Sequence, residues 1–287
     1  MSATARGEAP PILPAPRPGH WVGVVLIGGF GAWVAYQVWV NPGFQWDVVG
    51  RYLLNRQVLR GVGMTLELTA LVMLVGTVIG VVLAVMRLST GKVLPLCAYG
   101  FTWCFRGTPV LVQLVFWYNL AALFPTLSLG VPFGGPKLWE VSSTVAIGSF
   151  TAALLGLGLN EAAYMGEIVR AGLLSVDKGQ IEAAKALGYR PWQTLHAVVL
   201  PQAMRAIVPP TGNQVIGMLK YTSLASVVAL SELMNSVEKI YTRTFETVPM
   251  LIVAALWYLV LVSLLSVGQF FIERHYDRGS EDFALRP

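Results

Sequence analysis

Long stretches without a single charged side chain constrain this sequence more than any other feature. Pro18 to Trp46 gives 29 such residues, Leu68 to Met86 gives 19, Gly107 to Pro136 gives 30, Val141 to Asn160 gives 20 and Thr247 to Ile272 gives 26. A sixth stretch, Ala206 to Ser231, is 26 residues long and interrupted only by Lys220. About 20 apolar residues are needed for a helix to cross a hydrocarbon core roughly 30 Å thick. A transmembrane β-barrel would instead read as strands of about 10 residues with alternating polarity. Only 12% of the 287 residues are charged and 55% are hydrophobic, against about 25% charged in ordinary soluble domains. The expectation is an all-α integral membrane protein with six transmembrane helices.

Residues 1–20 contain Pro10, Pro11, Pro14, Pro16 and Pro18 and read as a disordered tail. The apolar run from Trp21 to Val40 exceeds a signal peptide's apolar region and lacks a small-residue cleavage pattern. It therefore reads as a retained first helix, with residues 21–60 forming that helix and a linker. The net charge of +5 could suit nucleic acid, but its placement follows a topology rule. With both termini cytoplasmic, 13 of the 20 Lys and Arg residues fall inside and six outside, three of the six being Arg51, Arg56 and Arg60. Two cysteines and three histidines leave no disulfide framework and no zinc cluster to expect.

Several spans carry residues that a plain anchor would not. Arg106-Gly107-Thr108-Pro109 should kink or restart the third helix, because proline removes a backbone donor and clashes with the preceding turn. This is either an elbow helix followed by a true span from Val110, or a broken helix lining a pathway. The fourth span ends in Asn160-Glu161-Ala162-Ala163-Tyr164-Met165-Gly166-Glu167-Ile168-Val169-Arg170. Glu161, Tyr164 and Glu167 share one sector of that helix. A carboxylate at membrane depth normally faces a bundle interior or a wet cavity. Glu161 has no basic neighbour at helical spacing and is a candidate ligand for a cationic group on cargo. Glu167 is either a structural partner of Arg170 or part of the same pathway. Lys220 needs a carboxylate, carbonyls or water, and either pairs with a glutamate of another helix or meets a substrate carboxylate. Asn160, Glu161, Tyr164, Glu167 and Lys220 together suggest a path for a small, polar, zwitterionic solute.

The one long polar loop, residues 172–201, faces the cytoplasm in this topology. Ile181, Ala184 and Leu187 recur at helical spacing, Gly188 can cap that helix, and Pro191 can open the next. Trp192, Leu195 and Val199 continue as an apolar stripe, and Pro201 reads as its stop. Two short helices joined by a tight turn result, either a knob for a partner's groove or a hairpin packed on its own bundle.

Glu182-Ala183-Ala184, then Gly188, then Val198 and Leu200-Pro201, resemble the cytoplasmic E-A-A loop of ABC importer permeases. Val198 stands where the family favours isoleucine. Arg106-Gly107-Thr108-Pro109, Ala163-Tyr164 with Glu167 and Arg170, Gly179-Gln180, and Lys220-x-Thr222-Ser223-Leu224 resemble the polar amino acid branch, the histidine, glutamine, arginine and opine systems among them. The resemblance covers roughly residues 61–274, with residues 275–287 as a cytoplasmic tail. It implies a type I importer fold in the bacterial inner membrane, a second permease subunit, identical or related, two ATPase subunits and an extracytoplasmic solute-binding protein. It also implies that Glu182, Ala183, Ala184, Gly188, Trp192, Leu200 and Pro201 couple the permease to the ATPase. No G-x-x-x-x-G-K-[ST] phosphate loop occurs in the sequence, so ATP and Mg belong to the partner and the chain binds no cofactor of its own.

A secondary transporter or channel for a small zwitterion remains the rival reading. Such proteins often carry two matched broken helices, and here Gly107-Thr108-Pro109 and Pro209-Pro210 have no convincing repeat around them. No nucleophile–base pair points to an enzyme. Glu161 favours a basic amino acid as cargo.

Overall fold

A computed structural model describes residues 18–130 and 137–284. The expected disordered tail therefore lies, up to residue 17, outside the described residues. The described residues form two units that divide between Trp46 and Asp47.

The first unit is α1 (Pro18–Val40) and the turn that ends it. Its sequence is apolar around the whole circumference, as a lipid-facing helix requires. Asn41 Oδ1 accepts from Gly43 N–H at 2.8 Å and caps a 3-10 turn over Pro42–Phe44. Trp46 then folds back, donating from Nε1 to Val38 O at 3.2 Å and stacking on Phe44 and Trp39. Such aromatic clusters are typical of the membrane–water interface.

The division falls after the first residue of α2 (Trp46–Leu53), and the second unit continues from Asp47 through α3 (Arg56–Arg87). Asn55 caps α3 by accepting from Gln57 N–H at 2.8 Å, so the helix begins 12 residues before the uncharged run that predicted it, and Arg56 and Arg60 belong to its first turns. Helices α4 (Val93–Gly107) and α5 (Val110–Tyr118) follow, then the short α6 (Leu120–Leu123). An antiparallel hairpin, β1 (Thr126–Gly130) with β2 (Lys137–Ser142), and the short α7 (Ser143–Ala146) lead into α8 (Ser149–Leu174). The cytoplasmic-loop candidate forms α9 (Lys178–Ala186) and α10 (Pro191–Thr194), which runs through a π-helical segment, Leu195–Val199, into α11 (Leu200–Tyr221). A 3-10 segment, Thr222–Val228, leads to α12 (Leu233–Thr244) and α13 (Thr247–Ala284).

Small residues decide how tightly this unit packs. A Cβ on Gly76 of α3 would lie 2.8 Å from Glu161 Cγ, and one on Gly80 would lie 2.7 Å from Met165 Cβ. Only glycine lets the two helices approach so closely. One buried cluster joins Leu68, Val72, Leu114, Leu157, Met165 and Met218 from α3, α5, α8 and α11. At one end, the fully buried Glu232 ties three helices. Its carboxylate accepts from Met234 N–H at 2.8 Å, Asn235 N–H at 2.7 Å and Tyr258 O–H at 3.1 Å, while Thr65 Oγ1 accepts from Leu233 N–H at 3.1 Å.

Two expectations change. The 30-residue run Gly107 to Pro136 is not one span: α5 has only nine residues, about 14 Å at 1.5 Å per residue, and residues 126–130 pair as β1 with β2. The fourth run is likewise shifted, since α8 starts at Ser149 and continues to Leu174. The expected tail from residue 275 is helical through Ala284. Among the described residues three helices are long and apolar enough to cross a membrane, Gly23–Val40, Arg56–Arg87 and Thr247–Tyr276, with a fourth if the pair Pro191–Val228 and Leu233–Thr244, bent by 47°, counts as one. The other two runs that suggested spans fall on α4–α5 and α8, the first broken by proline and the second carrying Asn160, Glu161, Glu167 and Arg170.

Candidate functional site

The broken helix frees backbone groups, and their partners define a site. Pro109 brings no N–H, so carbonyls at the end of α4 lose their helical donors. Gln113 of α5 replaces them, its Nε2 donating to Phe105 O at 2.9 Å, Thr108 O at 3.1 Å and Thr108 Oγ1 at 2.8 Å. Asn160 of α8 adds a bond from Nδ2 to Phe105 O at 2.7 Å. The break is thus held by protein groups, the condition under which irregular backbone persists at membrane depth.

A cavity of ≈390 Å3 opens against this break, between the α4–α5 junction, α8 and α11. Glu161, the thirteenth of 26 residues in α8, contributes to its wall yet is only 3% exposed, and its Oε1 has no hydrogen-bond partner. Arg106, also on the wall, holds its guanidinium 5.0 Å from the centre of the Tyr164 ring, a cation–π distance. The first turn of α5 also borders the cavity through Pro109 and Val110, and a helix N-terminus favours negative charge. Gln214 and Tyr221 of α11 complete the polar lining. A buried carboxylate, a guanidinium and a helix N-terminus thus border one cavity, groups of both signs that are complementary to a zwitterion with a cationic side chain.

The candidate residues separate on this geometry. Glu161 and Tyr164 line the cavity together. Asn160 lines it too, but its amide donates to Phe105 O and so fixes the break. Glu167 is committed elsewhere: Arg170 Nε and Nη2 donate to Glu167 Oε2 at 2.9 and 2.7 Å, and Arg87 Nε lies 3.9 Å from Oε1. Of its two readings, the structural pair describes this arrangement. Lys220 is exposed at the end of α11, no ion pair reaches it among the described residues, and it is outside the cavity lining. Its neighbour Tyr221 occupies the wall instead, because one residue turns a helix by about 100°. Gln214 and Tyr221, missed in the sequence reading, are seven residues apart and so share one face. That spacing was a usable signal, outweighed by the charge on Lys220.

The hairpin of α9 and α10 forms a second candidate site. Asp177 Oδ1 caps α9 by accepting from Gly179 N–H at 2.7 Å. Gly188 turns the chain at φ +79°, a conformation glycine adopts without steric cost. Ile181, Leu195 and Val199 pack with Ala84 of α3 and Val169 of α8, which anchors the hairpin to the bundle. Leu187 (76% exposed) and Trp192 (67% exposed) project outward, the latter edge-on to His196. Glu182 and Ala183 are exposed on α9 and Ala184 is buried. Leu200 and Pro201 open α11. Pro201 is therefore no stop: the chain stays helical from Pro191 to Tyr221, and the π-helical segment Leu195–Val199 just before the proline takes up the irregularity that its missing N–H makes.

Comparison with known proteins shows the family. Residues 76–278 match the family described as binding-protein-dependent transport system inner membrane component. The arginine transport system permease protein ArgU of Corynebacterium glutamicum is 44% identical over 97% of this chain and 87% of its own length. The octopine transport system permease protein OccM of Rhizobium radiobacter is 36% identical over 77% of this chain and 84% of its own. The probable amino-acid ABC transporter permease protein YckA of Bacillus subtilis is 35% identical over 76% and 88%. Among solved structures, a chain of an amino acid ABC transporter crystallised with histidines superposes with a TM-score of 0.64, at 34% identity over 76% of this chain and 94% of that one. A chain of the MetNI methionine transporter superposes at 0.60 and 22% identity, over 78% and 97%, and shows the fold.

Proposed function

Because the chain belongs to the family of inner-membrane components of binding-protein-dependent transport systems, we propose that it carries a basic amino acid of the arginine class through the cavity beside Glu161. It is a multi-pass permease subunit of an amino acid ABC importer, a transport component and not an enzyme, working with an ATPase and a solute-binding protein. One observation carries the cargo assignment: a buried carboxylate with an unpartnered oxygen in the wall of a ≈390 Å3 cavity that Arg106 also lines. Small-molecule sites are typically about 300–1,000 Å3, which accommodates an amino acid. In this reading Glu161 receives the side-chain cation and Arg106 the α-carboxylate. The arginine and opine cargoes named for the relatives carry both groups.

The hairpin is the coupling element in the same reading. Glu182, Ala183, Ala184, Gly188, Trp192, Leu200 and Pro201 meet the ATPase, with Trp192 and Leu187 as the apolar knob. Two ATPase subunits serve two permease subunits, identical or related, and ATP with Mg is bound by the ATPase. ATP binding closes the ATPase pair, moves both hairpins and rocks the bundle between inward- and outward-open states. Both termini and the hairpin lie in the cytoplasm, on the charge distribution of the sequence.

The decisive experiment is uptake of arginine and glutamine by proteoliposomes holding the complete transporter, with Glu161→Gln in this chain. Arginine uptake falls at least tenfold in the variant while ATPase activity remains. Unchanged arginine uptake would refute the assignment of Glu161.

A further inference from the structure

A second cavity, of ≈520 Å3, lies between α3, α8, α11 and α13 and has no part in the transport site. Its wall is hydrocarbon: Val81 and Val85 of α3, Met165 and Val169 of α8, Met204 of α11 and Ile272 of α13 contribute. The hydrogen-bond donors of Thr211 and Gln269 on it are engaged elsewhere. Thr211 Oγ1 donates to Ile207 O at 2.7 Å, and Gln269 Nε2 donates to Pro209 O at 2.9 Å and to Glu273 Oε1 at 2.7 Å. Water in a cavity needs two to four polar partners, and an engineered apolar cavity of about 150 Å3 already takes up benzene. An apolar void costs stability in proportion to its volume. A cavity of this size and lining therefore calls for an apolar occupant.

Its position selects that occupant. Val81, Val85 and Met204 are 42%, 60% and 37% exposed, so the cavity opens sideways to the medium around the helices. In a membrane-spanning bundle that medium is lipid. The bond between Gln269 and Pro209 sets α11 and α13 level at those two residues. Arg205, four residues before Pro209, and Arg274, five after Gln269, are both exposed and on these antiparallel helices fall at nearly the same depth. That depth is the hairpin end of the bundle, where Leu173, Leu195 and Leu200 close the cavity. Long basic side chains near helix ends reach the interface, and each is favoured beside anionic lipid.

We propose that this cavity holds an acyl chain of an anionic phospholipid from the leaflet facing the hairpin, with Arg205 and Arg274 at its headgroup. The inference rests on the membrane-spanning reading of the chain and not on its cargo, so its failure leaves the Glu161 assignment standing, which the uptake experiment tests separately.

The test uses the full chain in vesicles containing phosphatidylglycerol with a photoactivatable acyl chain. Adducts concentrate on Val81, Val85, Met204 and Ile272 relative to Leu74 and Leu259, which are apolar and more exposed but outside the cavity, and fall at least fivefold in Val81→Trp. Even labelling of the two sets overturns the proposal, as does cross-linking of the cavity residues to a second protein chain. The wild-type comparison does not depend on how the variant folds. Native mass spectrometry then compares retained phosphatidylglycerol with phosphatidylcholine. The wild type prefers the former and Arg205→Gln with Arg274→Gln loses that preference; equal retention by the wild type overturns the headgroup assignment.

Discussion

Single side chains in this protein are legible where their chemistry is expensive at their location. A glutamate in mid-membrane demands a reason, and Glu161 was conspicuous in the sequence for that alone. Arg106 was conspicuous only as part of a Gly-Pro break. Its place over Tyr164 follows from packing of α4 on α8, which no local pattern specifies. Replacing Arg106 by Gln removes a charged donor, and hydrogen bonds to charged groups are worth about 1.5–3 kcal/mol. The expected result is a KM for cargo raised by roughly tenfold or more, with hairpin coupling intact, measured as the concentration dependence of uptake. Gln113 supports the site without meeting cargo. Gln113→Leu leaves Phe105 O with one donor fewer and Thr108 O without that bond, at about 1–3 kcal/mol for a buried unsatisfied group. Thermal unfolding of the purified chain should show it as a lowered midpoint, and an unshifted midpoint would remove Gln113 from the account of the break.

At the scale of elements, helices with strong punctuation were predictable and those without it were not. The hairpin of α9 and α10 was readable because Gly188 and Pro191 mark its turn and its restart. The helix following it was misjudged at Pro201, since a proline inside a helical run and one past a helix end look alike in a sequence. The span expected at Gly107 to Pro136 failed for a related reason: absence of charge shows that a segment avoids water, not that it is one helix. Gly188 carries φ +79°, a region that is unfavourable for β-branched residues. Gly188→Val therefore bends the hairpin out of shape while α8 and α11 still insert. Membrane levels should stay near wild type and ATP-driven uptake should fall at least tenfold. Uptake close to wild type would show that the turn has no part in coupling.

For the whole molecule, the sidedness of the chain follows from charge and is open to direct test. Single cysteines at Ser175 and Thr244, in a chain whose Cys97 and Cys104 are replaced by Ser, should label from opposite faces of sealed vesicles. The expectation is that the Ser175 site reacts from the cytoplasmic face; reaction from the other face would invert the topology on which the coupling role of the hairpin depends. What the sequence by itself determined is the solvent of the fold, the existence of most long helices, and the residues whose charge conflicts with that solvent. These are local properties, set by transfer of each side chain between water and lipid. What only the tertiary structure decided is which of those residues share a cavity. Glu167 is drawn off by Arg170 and Arg87, Lys220 is turned away by one helical step, and Arg106 is brought to the cavity that Glu161 lines. Those outcomes depend on how closely α3 and α8 approach across Gly76 and Gly80, and on the rotation of α11 against them. Distances between helices arise from packing of side chains far apart in the chain, which is why no window of sequence contains them.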